Sequence, residues 1–328
     1  MMGAATKHRR GVVAAAFLGA LAAPAALAQG SYPVKPVRLV VPYPPGGSND
    51  VLSRLTAQAL SPGLGQPVVI DNRAGAGGMI GAENVAKSPP DGYSIVNVQA
   101  SFVANAALRT TMPYDPMGDF AYIGLMARGP LLAVVHPALP VKNVRELIAL
   151  AKARPGQINY GSTGTGGHNH LATELFRRMA GIEIVHVPYK GVAPALTDLM
   201  GGHTQMVMTS LPSAMQQVQA GRLKALAVGS EKRSGFMPDL PTIGESGVPG
   251  YVAEFWWGLA APAKTPPEIV NRLAAELTRV LQSPDLKQRF AAEGAEPEAM
   301  SRDQFTKFVA NEIARWRKVA REANVRPE

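Results

Sequence analysis

Two short stretches place glycine and hydroxyl residues where they could do chemistry. "PYPPGGSND", residues 42–50, and "GSTGTGGHNHL", residues 161–171, each follow an apolar run and lead straight into helical periodicity. The first turn of a helix has amide groups without backbone partners and carries a partial positive charge. Glycines ahead of it let a ligand reach those amides, so each stretch suits an anion, and a carboxylate held there needs no arginine. Gly46 and Gly47 form the first turn, with Ser48 or Asn49 as the expected helix cap; Ser162, Thr163 and Thr165 add hydroxyl donors to the second. Either stretch taken alone also reads as an ordinary tight turn. Two of them at matching points of two similar units favour a shared ligand site.

Other chemistries fit less well. Gly161 and Gly166 have phosphate-loop spacing, but Gly167-His168 stands where Lys-Ser or Lys-Thr is needed. "GAGGMIG", residues 75–81, puts Ile80 in place of the third glycine of a dinucleotide fingerprint. His168 and His170, with His186 and His203, could be read as metal ligands of an exported hydrolase. Helix residues two apart point in different directions, and no HExxH accompanies them, so a cap or cleft-lining histidine pair is the preferred reading and no metal is expected. No G-x-S-x-G elbow is present, which leaves an enzyme without a nucleophile.

The elements around these stretches alternate. "VRLVV" (37–41) precedes a helix from Ser48 to about Leu60, and "PVVIDN" (67–72) precedes a glycine-rich turn and a helix with Ala82, Val85 and Ala86. "YSIVNV", "YIGLM" and "LLAVV" read as further strands, and Asn143 with Glu146 starts a second series containing "QINYG", "EIVHV", "QMVMT" and "LKALAV". Strand–helix alternation predicts βαβ units and largely parallel sheets, with ligands gathering beyond the strands' carboxyl ends. The last part is mostly helical, with capping boxes expected at Thr265–Glu268 and Ser301–Gln304. Phe305, Phe308 and Trp316 are expected in the core, as is at least one ring of Phe255, Trp256 and Trp257.

The 328 residues are 46% hydrophobic and 17% charged, enough for two domains. "MMGAATKHRRGVVAAAFLGALAAPAALAQG" carries a basic start, an Ala-rich apolar stretch and Ala26-Leu27-Ala28 as cleavage site, so residues 1–28 read as a signal peptide. The absence of cysteine excludes a lipobox and a disulfide framework, and together these point to the periplasm. Three of the 33 basic residues and none of the 24 acidic ones lie in residues 1–28, leaving a net +6. No basic run is interleaved with aromatics, so nucleic acid is not an expected partner.

"YPVKPVRLVVPYPPGGSNDVLSRL", "LGQPVVIDNRAGAGGMIGAENVAKSPPDGYSI", "INYGSTGTGGHNHLATELF", "VHVPYKGVAPALTDLMGGHTQMV" and "LPTIGESGVPGY" resemble, in order from Tyr32 onward, the Bug or TctC family. These are periplasmic solute receptors of tripartite tricarboxylate transporters. The resemblance implies an α/β, two-lobed periplasmic binding protein of the type II, Venus-flytrap kind, each lobe a mostly parallel sheet flanked by helices, joined by two crossover segments. It implies lobe 1 from 29–129 plus 253–328 and lobe 2 from 130–252, a carboxylate held mainly by main-chain amides, hydroxyls and ordered waters, no cofactor, and a monomer that meets membrane transporter subunits. Carried over, the ligand set is Tyr43, Gly46, Gly47, Ser48, Asp50, Ser101 and Phe102 from the first lobe, and Ser162, Thr163, Gly164, Thr165 and Gly166 from the second, with His170 and Thr209 as further candidates. The chain departs from the family in Gly167 and His168, where many relatives have Ser-x-x-His-Leu, and in Thr209, where relatives often carry an acid; the latter leans away from amino-acid ligands. A sensor that presents its ligand to a membrane signalling partner is the alternative reading.

Overall fold

The computed structural model describes Gly3 and residues 32–325. The segment read as a signal peptide, residues 1–28, lies outside the described residues apart from Gly3. The chain then runs β1 (Val37–Val41), α1 (Ser48–Leu64), β2 (Val68–Asn72), a short 3-10 turn (Ala76–Gly78), α2 (Met79–Ala86), β3 (Ser94–Gln99), α3 (Ala100–Leu108) and β4 (Phe120–Val135). It continues with α4 (Val144–Ala153), β5 (Asn159–Ser162), α5 (His168–Ala180), β6 (Val185–Pro188), α6 (Val192–Met200), β7 (Met206–Ser210), α7 (Leu211–Gln219) and β8 (Lys224–Val228). The return comprises β9 (Glu254–Pro262), α8 (Pro267–Leu281), α9 (Pro284–Ala292), β10 (Glu296–Pro297) and α10 (Arg302–Glu322).

The strands form two sheets that share β4. The first has the order β2-β1-β3-β9-β4-β10, and the second β8-β4-β7-β5-β6. The expected parallel βαβ core is present in each, β2/β1/β3 in one and β7/β5/β6 in the other. The parallel character is more limited than expected: every antiparallel ladder involves β4 or β9, the two long strands that join the halves.

β4 replaces two expected strands, "YIGLM" and "LLAVV". One strand runs unbroken through both, Gly129 and Pro130 included. Up to Pro130 it pairs with β9, and from Leu131 it pairs with β7. Glycine suits position 129, because a Cβ there would lie 3.1 Å from the Trp257 ring, closer than ordinary contact. The second connection passes alongside: Gly229 N–H donates to Leu131 O (2.6 Å), and Ala253 N–H donates to Gly229 O (2.8 Å).

Some helix starts follow local chemistry and others do not. Asn143 and Ser301 cap α4 and α10 as expected, the latter in a complete capping box. The box expected at Thr265 does not form. Pro266, forced into an extended conformation by Pro267 after it, becomes the cap position, so Thr265 sits one residue too early and its buried hydroxyl has no partner. Phe305, Val309 and Trp316 of α10 are buried, and so are Leu273, Leu277 and Leu281 of α8.

Candidate functional site

The two helix starts share one backbone pattern, although the Gly167 N–H already donates to Gly164 O (3.1 Å) whereas the Gly47 N–H has no such bond. Gly46-Gly47-Ser48-Asn49-Asp50 opens α1, and Gly166-Gly167-His168-Asn169-His170 opens α5. In each, the first glycine has positive φ (+88° and +79°) and the second is the extended cap residue. The cap is therefore Gly47, not Ser48 or Asn49, which occupy the first two helical positions. The side chain at the third helical position then reaches back to the first glycine: Gly46 N–H donates to Asp50 Oδ2 (3.0 Å), and Gly166 N–H donates to His170 Nδ1 (2.9 Å). Sequence reasoning found both loops but missed this GGxN[D/H] repeat, whose signal is plain in the text of the chain.

That geometry separates groups already engaged from groups left open. Asp50 is buried, and its carboxylate also accepts from Arg54 Nε (2.9 Å) and Asn72 Nδ2 (2.9 Å). Burial opposes ionisation, but the bonds from Arg54, Gly46 and Asn72 outweigh it and hold the carboxyl below its usual range. The Asp50 and Val51 amides close onto Gly47 O, whereas among the described residues no acceptor meets the Gly47, Ser48 or Asn49 amide. A Cβ on Gly47 would touch nothing within 4 Å, so the approach is open.

Tyr43 and Gln99 brace this loop from behind. Tyr43 Oη donates to Gly77 O (3.1 Å) and accepts from Gln99 Nε2, while Gln99 Oε1 accepts from Ser101 N–H (2.8 Å) at the start of α3. Burial, against bonds to Ser101 and Gln99, pushes the Tyr43 hydroxyl up to about 12. Two of the four glycines of "GAGGMIG" are explained here: a Cβ on Gly78 would lie 2.7 Å from Tyr43 Oη, and one on Gly81 would lie 2.9 Å from Arg73 O. Phe102 turns its ring into the core, stacked on Tyr114 at 5.5 Å, which leaves its main chain as the part a ligand could meet.

The second loop is braced by a buried cluster. Ser162 is fully enclosed; its Oγ lies 2.6 Å from His186 Nε2 and accepts from Gly164 N–H (3.1 Å). His170 stacks on His186 with centroids 3.9 Å apart, and Tyr160 Oη donates to buried Glu174 (2.7 Å). Burial, then the charges of His186 and Arg177, push His170 down to about 3, so it is a neutral acceptor for the Gly166 amide. Thr163 Oγ1 donates to Asn169 Oδ1 (3.1 Å), and Gly164 and Thr165 lie half-buried at the loop surface. Thr209 is enclosed within β7 opposite Leu132.

His168 and His170 do not share a site. His168 is fully buried between Phe255 (4.8 Å, 72°) and Trp316 (5.0 Å, 84°), with no hydrogen-bond partner on either ring nitrogen. Burial, then the Arg315 charge, push its pKa down to about 3, while the Glu254 main chain acts in the other direction.

One strand brings the two helix starts together. Trp257 Nε1 donates to Asn49 Oδ1 (2.7 Å) in the first turn of α1, and Phe255, two residues back on the same face of β9, packs on His168 in the first turn of α5. The Phe255 and Trp257 rings are 6.2 Å apart and nearly coplanar in orientation (18°). Trp256 points the other way, onto Phe305 and Phe308 of α10. Gly166 also abuts α3, since a Cβ there would come 2.5 Å from Leu108. An open groove of about 520 Å³ between α3 and α10, lined by Arg109, Tyr114 and Arg317 among others, contains none of the candidate residues.

Known proteins are similar to this chain in sequence and fold. The chain is 39% identical to Protein BugT of Bordetella pertussis over 90% of its own length and 91% of the relative's. Among solved structures, R. palustris Rpa4515 with adipate superposes with a TM-score of 0.86 at 42% identity, covering 90% of this chain and 100% of that one. MatC (Rpa3494) from Rhodopseudomonas palustris with bound malate gives 0.81 at 30% identity over 88% and 99%. PhnD1 from Prochlorococcus marinus, at 15% identity and a TM-score of 0.53 over 88% and 98%, shares the fold alone. The family model described as Tripartite tricarboxylate transporter family receptor matches residues 52–325. By sequence and by fold, this chain belongs to that family, TctC, whose two-lobed binding-protein architecture it has.

Proposed function

We propose that this protein is a periplasmic receptor that captures a small carboxylate between two lobes and delivers it to the membrane subunits of a tripartite transporter. The observation that carries the reading is the pair of matching helix starts, with open amides at Gly47, Ser48 and Asn49, both approaching one face of β9. Adipate and malate, present in the solved structures of two relatives, are both dicarboxylates and support this ligand class.

In this reading the lobes span 29–129 plus 253–328 and 130–252, and they turn about β4 near Gly129-Pro130 and the strand pair at Gly229 and Ala253. The change of ladder partner between Pro130 and Leu131 supports the first of these hinges. One carboxylate is held by amides of Gly47 to Asn49 with Ser48 and Ser101 hydroxyls; the other meets the loop from Thr163 to Gly167. Asp50, Tyr43, Ser162 and His170 act as positioning residues that shape the loops. The ligand stabilises the closed form by touching both lobes, and it leaves chemically unchanged. Residues 1–28 direct export and are removed, and the mature receptor is a monomer.

Isothermal titration of the mature chain with succinate, malate, glutarate, adipate and benzoate tests the reading. Saturable 1:1 binding of at least one diacid is expected. Heats no different from buffer for every acid would refute it.

A further inference from the structure

His168 occupies the position where the matching helix start has Ser48. Ser48 is half-buried and carries a small side chain; His168 is fully buried and carries a ring. Its ring is wedged edge-to-face against Phe255 of β9 and Trp316 of α10. Both partners belong to the half of the molecule that carries α1, whereas His168 opens the helix of the other half. Phe255 pairs with Gly129, two residues before β4 changes its ladder partner at Leu131. The contact therefore lies at the pivot, directly behind the second anion cradle.

A ring in that slot limits how near the start of α5 can come to β9. Trp257, on the same strand face, fixes the start of α1 through Asn49. The strand thus has one cradle tied to it directly and the other held off it by a side chain of set thickness. Aromatic packing dominates the slot, since among the described residues neither ring nitrogen has a partner within hydrogen-bond geometry.

Resting on the carboxylate-capture reading above, we propose that His168 is a positioning residue that gauges the separation of the two cradles and so selects the chain length of a linear dicarboxylate. A shorter spacer brings the cradles together and favours a shorter acid. One methylene out of place in a fitted site costs about tenfold in affinity or more.

The test ranks succinate, glutarate, adipate, pimelate and suberate by titration against the wild type, His168→Ala and His168→Phe. His168→Ala is expected to move the optimum toward shorter acids, changing the affinity ratio of neighbouring lengths about tenfold. His168→Phe, which keeps a ring in the slot, is expected to keep the wild-type order. If His168→Ala does not fold, Phe255→Leu removes the other side of the seat and is expected to shift the order the same way. An unchanged order with uniform weakening, or a shift toward longer acids, overturns the proposal while leaving capture intact. Failure of the wild type to bind any diacid overturns both.

Discussion

Gly47→Val separates binding from folding more cleanly than any other single change in the site. Gly47 has φ −85° and ψ 169°, a conformation open to every residue, and a Cβ there meets nothing within 4 Å. Replacing a glycine at a compatible position stabilises by about 0.4–1 kcal/mol through the unfolded chain. Val is a poorer cap residue than glycine by roughly the same amount, so the two offset. The melting temperature should stay within about 4 °C of wild type. Binding should not survive. Hydrogen bonds to a charged group contribute about 1.5–3 kcal/mol each, so blocking about two amides costs roughly 3–6 kcal/mol, or about 10²- to 10⁴-fold in affinity. Scanning fluorimetry and titration with the best diacid measure the two quantities on one preparation. Wild-type affinity in Gly47→Val refutes the reasoning, because the open amides of α1 would then not hold the ligand; a loss of folding would show that the space around Gly47 is already used. Gly164 is a poorer probe: its φ of +113° makes any side chain strained regardless of ligand.

Three further outcomes follow from the same geometry. Asp50→Asn should be destabilised by about 1–3 kcal/mol at pH 7, since a carboxylate serving Arg54, Gly46 and Asn72 is lost; Arg54 is 48% exposed, which keeps the figure toward the lower end. Because the folded carboxyl is held below its ordinary value of 3.8, that contribution is present above pH 3.8 and is lost as pH falls through the folded value, so the gap between wild type and variant should close in acid. His168 and His170 stay neutral when folded, with pKa values pushed to about 3; above pH 6.5 they carry no penalty, and below it the unfolded chain takes up protons the folded one refuses. Stability should therefore fall by about 1.4 kcal/mol per pH unit for each ring between pH 6.5 and 3, and His168→Phe should lessen the slope; equal slopes in urea titrations would contradict the assignment. Trp257 touches Asn49 in the first turn of α1, so a saturating diacid should change the intrinsic fluorescence, and Trp257→Phe should abolish most of that change; a full-sized change in the variant would place the reporter elsewhere.

Much of this was readable from local pattern. The strand and helix alternation, both glycine loops and the cap at Ser301 depend on residues close in the chain, and they form where their spacing says. Failures arose where distant residues decide or where neighbouring signals compete. "YIGLM" and "LLAVV" look like two strands, yet one strand runs through Gly129-Pro130 with Trp257 packed over it. Thr265 looks like a cap until two prolines shift the helix start. In the site, the loops are visible but the state of their polar atoms is not: Asp50 is engaged by Asn72, Tyr43 by Gln99 and His170 by Gly166. Nothing in "GGHNH" announces that His168 points at Phe255, 87 positions further along the chain.

A crystal structure of the mature protein with its best-binding diacid tests the central claim most directly. One carboxylate should lie within about 3 Å of the amides of Ser48 or Asn49, and the other within the same reach of main-chain or hydroxyl donors between Thr163 and Gly167. A diacid found instead against Arg109 and Arg317, in the groove between α3 and α10, would contradict it.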